Sequence, residues 1–372
     1  MDFSFSEEQE MLRRTARNFL TEHCPKSFVR EMENDDKGYS PEVWQKMAEL
    51  GWMGLVLPEQ YGGVGGSFLD LVILLEEMGG ALLPAPFIPT VVNCSLPLLH
   101  FGTEEQKKEF LPKIASGELI MTLALTEPNV RYDEAGIEVM ASKHENDWVI
   151  KGTKLFVPDA HIAHYLLCAA NTSEGIMLFL VDTRSPGIDI SLLRTIAGDK
   201  QCEVTFHDVK VPQTNVLGIA ENGWQRIEKI LSWGAVAQCA LISGNIQRVL
   251  DISVTYAKER VQFGKPIGSF QAIQHECAEM MTNIDGVKLL TYQAAWKLSQ
   301  DIPATLEVSM AKAWTSDAAR RVCLLGHAIH GGIGISLDHD MQLFFRRAKV
   351  MELAFGDGDF HREVVAEEMK LA

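Results

Sequence analysis

No apolar run in this sequence approaches the ~18 residues that a membrane-crossing helix needs. Cationic residues are scarce as well. Lys and Arg number 34 against 50 Asp and Glu, for a net charge of −16, whereas a nucleic-acid partner calls for a positive surface. A nucleotide cofactor is not excluded, because a few local Arg or Lys residues suffice. The N-terminus, Met1-Asp2-Phe3-Ser4-Phe5, lacks a basic stretch leading into an apolar core and does not read as a secretory signal. The seven cysteines are scattered singly, with no CxxC and no Cys/His pair at zinc spacing. The expectation is a cytoplasmic protein with reduced, mostly buried thiols and no metal site.

What is present is ample for a large core: 372 residues, 47% of them apolar and 23% charged. The hydrophobic period divides the chain in three. Residues 1–118 read as a helical domain. Ser6-Glu7-Glu8-Gln9 and Thr103-Glu104-Glu105-Gln106 are capping boxes, and Ser40-Pro41 places a hydroxyl before a proline suited to a first helical position. Residues 119–219 turn to short β-rich runs separated by turns, Leu119–Leu125, Ile137–Ala141, Trp148–Val157, Tyr165–Ala169, Ile176–Val181 and Cys202–Phe206. This predicts a compact antiparallel sheet domain. Residues 220–372 return to helical spacing: about Gly223 to Arg260, Phe270 to Asp301, Ala304 to Leu325, and a last helix after Gly331-Gly332. The order helices, sheet, helices is α+β, not a doubly wound sheet.

Four separated motifs then carry a resemblance over nearly the whole chain. They are Leu125-Thr126-Glu127-Pro128, Lys151-Gly152-Thr153-Lys154-Leu155-Phe156-Val157, Arg260-Val261-Gln262-Phe263-Gly264 followed by Phe270-Gln271, and His330-Gly331-Gly332-Ile333-Gly334 with Arg346-Arg347-Ala348. In this order and spacing the sequence resembles the acyl-CoA dehydrogenase family. The resemblance implies an N-terminal helical domain, a middle β-domain and a C-terminal four-helix bundle, with FAD as cofactor, an acyl-CoA thioester as substrate and an electron-transfer flavoprotein as acceptor. It implies α,β-desaturation, in which a carboxylate base removes the α-proton while a hydride leaves the β-carbon. For FAD it implies Thr126 and Phe156 on one side, and Arg260, Phe263, Gln271 and Gly332 on the other, the latter group reaching the cofactor of an adjacent subunit.

The sequence departs from the family where the chemistry sits. The resemblance puts the base either before the glycine of Phe355-Gly356, or on the first helix of the bundle at Gly234, by counting back from Tyr256. Neither residue ionises, and no carboxylate lies between Lys229 and Leu250. Asp357 is a displaced candidate, two residues along, ~7 Å in an extended segment. After Thr126-Glu127-Pro128 the family's small-residue turn is replaced by Asn129-Val130-Arg131-Tyr132-Asp133, and a flavin-binding threonine by Pro158, which has neither hydroxyl nor N–H. The pattern retained by Arg260, Phe263 and Gln271 is what a base-lacking subunit would contribute to a sister dehydrogenase in an α2β2 heterotetramer. A self-sufficient homo-oligomer using Asp357, and a non-catalytic binding protein on the same fold, are the alternatives.

Overall fold

The computed structural model describes residues 5–218 and 222–371. Residues 1–4 of the acidic N-terminus and the expected boundary at 219/220 lie outside the described residues. In chain order, helices α1 (Glu7–His23), α2 (Lys26–Asn34), α3 (Pro41–Glu49) and α4 (Phe68–Ala81) precede a π-helix (Ile88–Ser95), α5 (Leu96–Phe101) and α6 (Glu104–Ala115). The strands follow: β1 (Met121–Ala124), β2 (Met140–His144), β3 (Asp147–Pro158), β4 (Tyr165–Thr172), β5 (Gly175–Asp182), β6 (Ile188–Leu193) and β7 (Gln201–Pro212). Next come α7 (Gly223–Glu259), a hairpin of β8 (Val261–Gln262) and β9 (Lys265–Pro266), then α8 (Gln271–Ser299), α9 (Thr305–His330), α10 (Met341–Leu353) and α11 (Gly358–Glu368).

Helix starts lie where the sequence marks them. Ser6 and Thr103 close capping boxes with Gln9 and Gln106, and Ser40 accepts from the Val43 N–H with Pro41 at the first helical position. A further box, Ser67 with Asp70, opens α4. No helix among the described residues is long and apolar enough to cross a membrane.

The chain packs as two compact units. One contains Glu31–Gly66 and Pro84–Gly234, including the whole seven-stranded sheet, ordered β1-β4-β2-β3-β7-β6 with β5 on β4. All the expected strands form, and β6 is an addition: its alternating apolar residues are only half-buried beside β7, so its sequence signal is weak. The sheet is not antiparallel throughout. β1 runs parallel to β4, with Met121 opposite Tyr165, because the chain returns to β1 only after the whole of β2 and β3. Trp148, Phe179 and Phe206 fill the core beneath it. Trp148 satisfies its indole N–H on Gln213 Oε1 at 2.8 Å.

The other unit contains α1, α4 and residues 235–371. Its central contact is backbone on backbone. A Cβ added at Gly244 of α7 would stand 1.8 Å from the Glu76 carbonyl oxygen, and one at Gly79 of α4 would stand 2.0 Å from that of Leu241. Only glycine permits this approach. Beside it the buried Glu76 carboxylate accepts from Ser243 Oγ at 3.1 Å and from the Tyr292 hydroxyl, with Arg13 at 3.4 Å. The single last helix expected after Gly331-Gly332 is instead two, α10 and α11, separated at Ala354 to Asp357. The chain turns there through positive φ at Phe355 (60°) and Gly356 (90°), which no helix continues.

Gly244→Ala should lower unfolding stability by about 3 kcal/mol, since the added methyl must push two helix backbones apart. Urea unfolding measures it. An unchanged midpoint would show that α4 and α7 separate freely.

Candidate active site

In the sheet-bearing unit, the segment after β1 is fixed by a fully buried ion pair. Lys154 Nζ lies 2.5 Å from Glu127 Oε1, with side-chain exposures of 0% and 2%. The Glu127 carboxylate also accepts from the N–H groups of Glu138 (2.9 Å) and Val139 (3.0 Å), and Lys154 donates to the Leu125 carbonyl at 3.1 Å. Glu127 is therefore a structural acceptor, its carboxylate already bonded by an ammonium and two backbone N–H groups. It holds Thr126 in place, whose carbonyl accepts from the Leu155 N–H at 2.8 Å.

Two residues on from Lys154 the β3–β7 ladder is irregular, between Lys154 and Val157. Phe156 sits at that bulge with φ 53° and half its surface exposed. A bulge of this kind re-aims one side chain out of a sheet. Pro158 ends β3, and its carbonyl accepts from Thr122 Oγ1 at 2.6 Å. The segment of Asn129 to Asp133 is closed by bonds from Arg131 Nε to both Asp133 oxygens, 3.0 and 3.1 Å. Thr126 and Phe156 thus lie next to each other along adjacent backbone segments, with bulky Arg131 and Tyr132 downstream of Thr126.

In the helical unit, Arg260 follows the last turn of α7, exposed, and its guanidinium has no hydrogen-bond partner among the described residues. Val261–Gln262 and Lys265–Pro266 form the hairpin, whose turn residues Phe263 and Gly264 both have positive φ, 52° and 79°. That is a type I′ turn, natural for Gly264 and strained for Phe263. Phe263 is 92% exposed. Gln271 opens α8 exposed, and a Cβ at Gly332 would meet nothing within 4 Å. Arg260, Phe263 and Gln271 share one end of the bundle; an exposed cation, an aromatic and an amide there suit a nucleotide. His330 is buried, its Nδ1 2.7 Å from the Gly326 carbonyl.

The segment around Phe355 is held from two sides. Lys312 of α9, with no exposed surface, donates to the carbonyls of Glu352 (2.7 Å) and Gly356 (2.9 Å). His361 of α11 donates from Nε2 to the Phe355 carbonyl at 2.9 Å and accepts at Nδ1 from Ser309 Oγ at 3.2 Å. A carbonyl only accepts, so the proton of this neutral imidazole resides on Nε2. Burial pushes Lys312 down to about 8 and His361 down to about 4, so His361 is uncharged through the neutral range. Sequence reading passed over both residues. A lone lysine inside an apolar helix stretch, Met310-Ala311-Lys312-Ala313, is the signal that could have marked one of them.

The carboxylates near Phe355 are all engaged. Asp357 caps α11, its Oδ1 accepting from the N–H groups of Asp359 (3.1 Å) and Phe360 (2.9 Å). Glu352 takes Lys349 Nζ at 2.9 Å, and Asp359 takes Arg362. Gly234 is buried in α7. Phe355 and Gly234 therefore stand on backbone well ordered by neighbours, without an ionisable group at either.

Comparison with known proteins identifies the chain as an oxidoreductase. The chain belongs to the acyl-CoA dehydrogenase family. Its N-terminal domain matches residues 6–118, its middle domain 122–209 and its C-terminal domain 221–370. The chain is 34% identical to the probable acyl-CoA dehydrogenase YngJ of Bacillus subtilis, over 99% of this chain and 100% of that one. It is 33% identical to an acryloyl-CoA reductase (NADH) of Anaerotignum propionicum, over 99% and 96%. The ChsE4-ChsE5 complex of Mycobacterium tuberculosis superimposes with a TM-score of 0.92 at 27% identity, over 100% of both chains.

Two outcomes are expected. Glu127→Gln, which leaves Lys154 as an uncompensated buried cation, should cost about 3–5 kcal/mol, whereas replacing both partners by apolar residues should cost less; thermal melts of the single and double variants compare them. The second concerns acid. Above pH ~6.5 His361 is neutral folded and unfolded. As pH falls from there towards 4, the unfolded chain takes up a proton that the folded chain refuses, so stability drops through that window by up to ~3 kcal/mol. His361→Gln should flatten this acid limb, read from urea midpoints at pH 7 and pH 5.

Proposed function

We propose that this chain is the base-lacking subunit of a heteromeric acyl-CoA dehydrogenase, active in α,β-desaturation only beside a sister subunit that supplies the carboxylate. One contrast carries the reading. Positions 355 and 234 hold no ionisable group and the carboxylates near Phe355 are committed to caps and ion pairs, while the exposed Arg260 guanidinium has no hydrogen-bond partner among the described residues. The ChsE4-ChsE5 complex, a heteromeric neighbour of this fold, supports it. Asp357 as a displaced base is disfavoured, because its Oδ1 already accepts from two backbone N–H groups in capping α11.

The residues fit FAD unequally. Arg260 would pair with the pyrophosphate, with Phe263, Gln271 and Gly332 beside it, in a site completed by the sister subunit. The chain's own side keeps Thr126 and Phe156, but Tyr132 and Pro158 replace a small side chain and a hydrogen-bonding one. FAD, when bound, supplies the hydride acceptor. This chain's residues hold its phosphates, and the sister's carboxylate takes the α-proton. An electron-transfer flavoprotein is the proposed acceptor. The seven cysteines are all free, which fits a reducing, cytoplasmic setting.

Expressed alone, the chain should carry well under stoichiometric flavin and oxidise no acyl-CoA. Co-expressed with a sister bearing glutamate at the position of Phe355, it should give a yellow, active complex. Arg260→Ala in that complex should weaken flavin retention by ~10-fold or more, read from the visible spectrum after dialysis, while Asp357→Asn, which still caps α11, should leave turnover unchanged. A lone chain that is yellow and active, and loses turnover on Asp357→Asn, would establish the displaced base instead.

A further inference from the structure

His330 ends α9 and leads directly into Gly331 and Gly332. Its ring belongs to a cluster of three. Tyr256 of α7 stacks on it, with centroids 4.5 Å apart and planes at 24°, and His339 lies 4.9 Å away, tilted by 59°. Three elements thus meet on one imidazole. Tyr256 stands one turn before Arg260, whose N–H donates to the Tyr256 carbonyl at 2.8 Å. His339 stands just before α10, and its Nδ1 accepts from the Met341 N–H at 3.2 Å. The stack of Tyr256 on His330 therefore refers the end of α7 that bears Arg260 to the turn that bears Gly332.

The bonds of that ring set where its proton sits. Nδ1 lies 2.7 Å from the Gly326 carbonyl, which only accepts, so Nδ1 carries the proton. Nε2 is buried and has no hydrogen-bond partner among the described residues. A second proton there would bury a charged N–H without an acceptor, which is more unfavourable than a neutral orphan. The charges that act on the ring come from His327, one turn back on α9, and from His339, and each would repel a cation. The Tyr256 face attracts a cation, but by less than an unpartnered buried charge costs. Of the acids flanking His339, Asp338 is exposed and Asp340 is paired with Arg30 at 2.8 Å. Burial accordingly holds His330 below the usual imidazole range, and it is neutral at pH 7.

We propose that neutral His330 is a positioning residue for the flavin nucleotide, keeping Arg260 and Gly332 in register through Tyr256, and that protonation of His330 loosens this end of the bundle and releases the nucleotide. The nucleotide itself rests on the function proposed above; the role of His330 rests on the three rings and the unpartnered Nε2. The coupling is reciprocal: bound FAD resists protonation of His330, and acid weakens FAD by the same factor.

The test uses the flavin-loaded complex with the sister subunit and reads FAD release from the fluorescence of the freed flavin. Release is compared at about pH 7.5 and about pH 5.5, which bracket the ordinary imidazole range, with far-UV circular dichroism confirming the fold at both. Wild type should hold FAD ~10-fold or more less tightly at the lower pH. His330→Phe keeps an aromatic ring against Tyr256 and cannot take a charge, so it should retain FAD at the higher pH and lose the pH dependence. His330→Ala removes the ring and should weaken FAD ~10-fold at both. A merely structural histidine would lower the melting point in these variants without flattening the pH profile. His339→Asn keeps an acceptor for the Met341 N–H and removes one repelling charge, so release should begin at a lower pH than in wild type; this arm stands even if position 330 tolerates no substitution. Wild-type retention that is equal at both pH values, or a pH dependence that His330→Phe and His339→Asn leave unaltered, overturns the role of His330 while leaving the nucleotide site intact. If Arg260→Ala in the same complex keeps its flavin, the nucleotide assignment falls, and the role of His330 with it.

Discussion

The buried pair of Lys154 and Glu127 is the constraint on which the sheet-bearing unit turns. Two full charges without solvent are tolerated only when they are paired and hydrogen-bonded, and here they are: the carboxylate by one ammonium and two backbone N–H groups, the ammonium by carboxylate and carbonyl. Those bonds tie together the end of β1, the entry to β2 and the middle of β3. With them in place, Thr126 cannot drift from Leu155, and the bulge that follows turns Phe156 outward.

Much of this was legible in the sequence, for local reasons. Capping at Ser6, Ser40 and Thr103 depends on residues three apart, and the strands on short β-rich runs between turns, so a single chain displays both. The Arg260 motif was legible as a resemblance, but the β8–β9 hairpin that it forms was not read from the sequence. What was missed depends on distance. β6 looks nondescript because it lies at a sheet edge with its apolar residues half-buried. The parallel placement of β1 beside β4 joins residues more than forty apart. The break between α10 and α11 is encoded partly in Gly356 but is enforced by Lys312 and His361, which come from other elements. The buried glycine contact of α4 with α7 has the same character: nothing near Gly244 announces that a carbonyl from residue 76 will arrive there.

The candidate site shows how backbone and side chain can part company. Lys312, His361 and the Asp357 cap fix the course of residues 354–358 as firmly as any catalytic segment would need. The side chain at position 355 nevertheless has no acid or base function. At the other end of the same unit the reverse holds. The Arg260 guanidinium has no hydrogen-bond partner within the described residues, and Phe263, 92% exposed, meets only the ring of Phe270 edge-on. On the proposed reading these are two sides of one arrangement, in which the chain supplies contacts outward and receives chemistry from its partner.

Phe355 keeps a left-handed backbone, φ 60°, that a bulky L-residue adopts only at a cost of roughly 1–2 kcal/mol. The anchors grip main-chain carbonyls, those of Glu352, Phe355 and Gly356, so the posture is imposed through the backbone and would be imposed on whatever side chain stood at position 355.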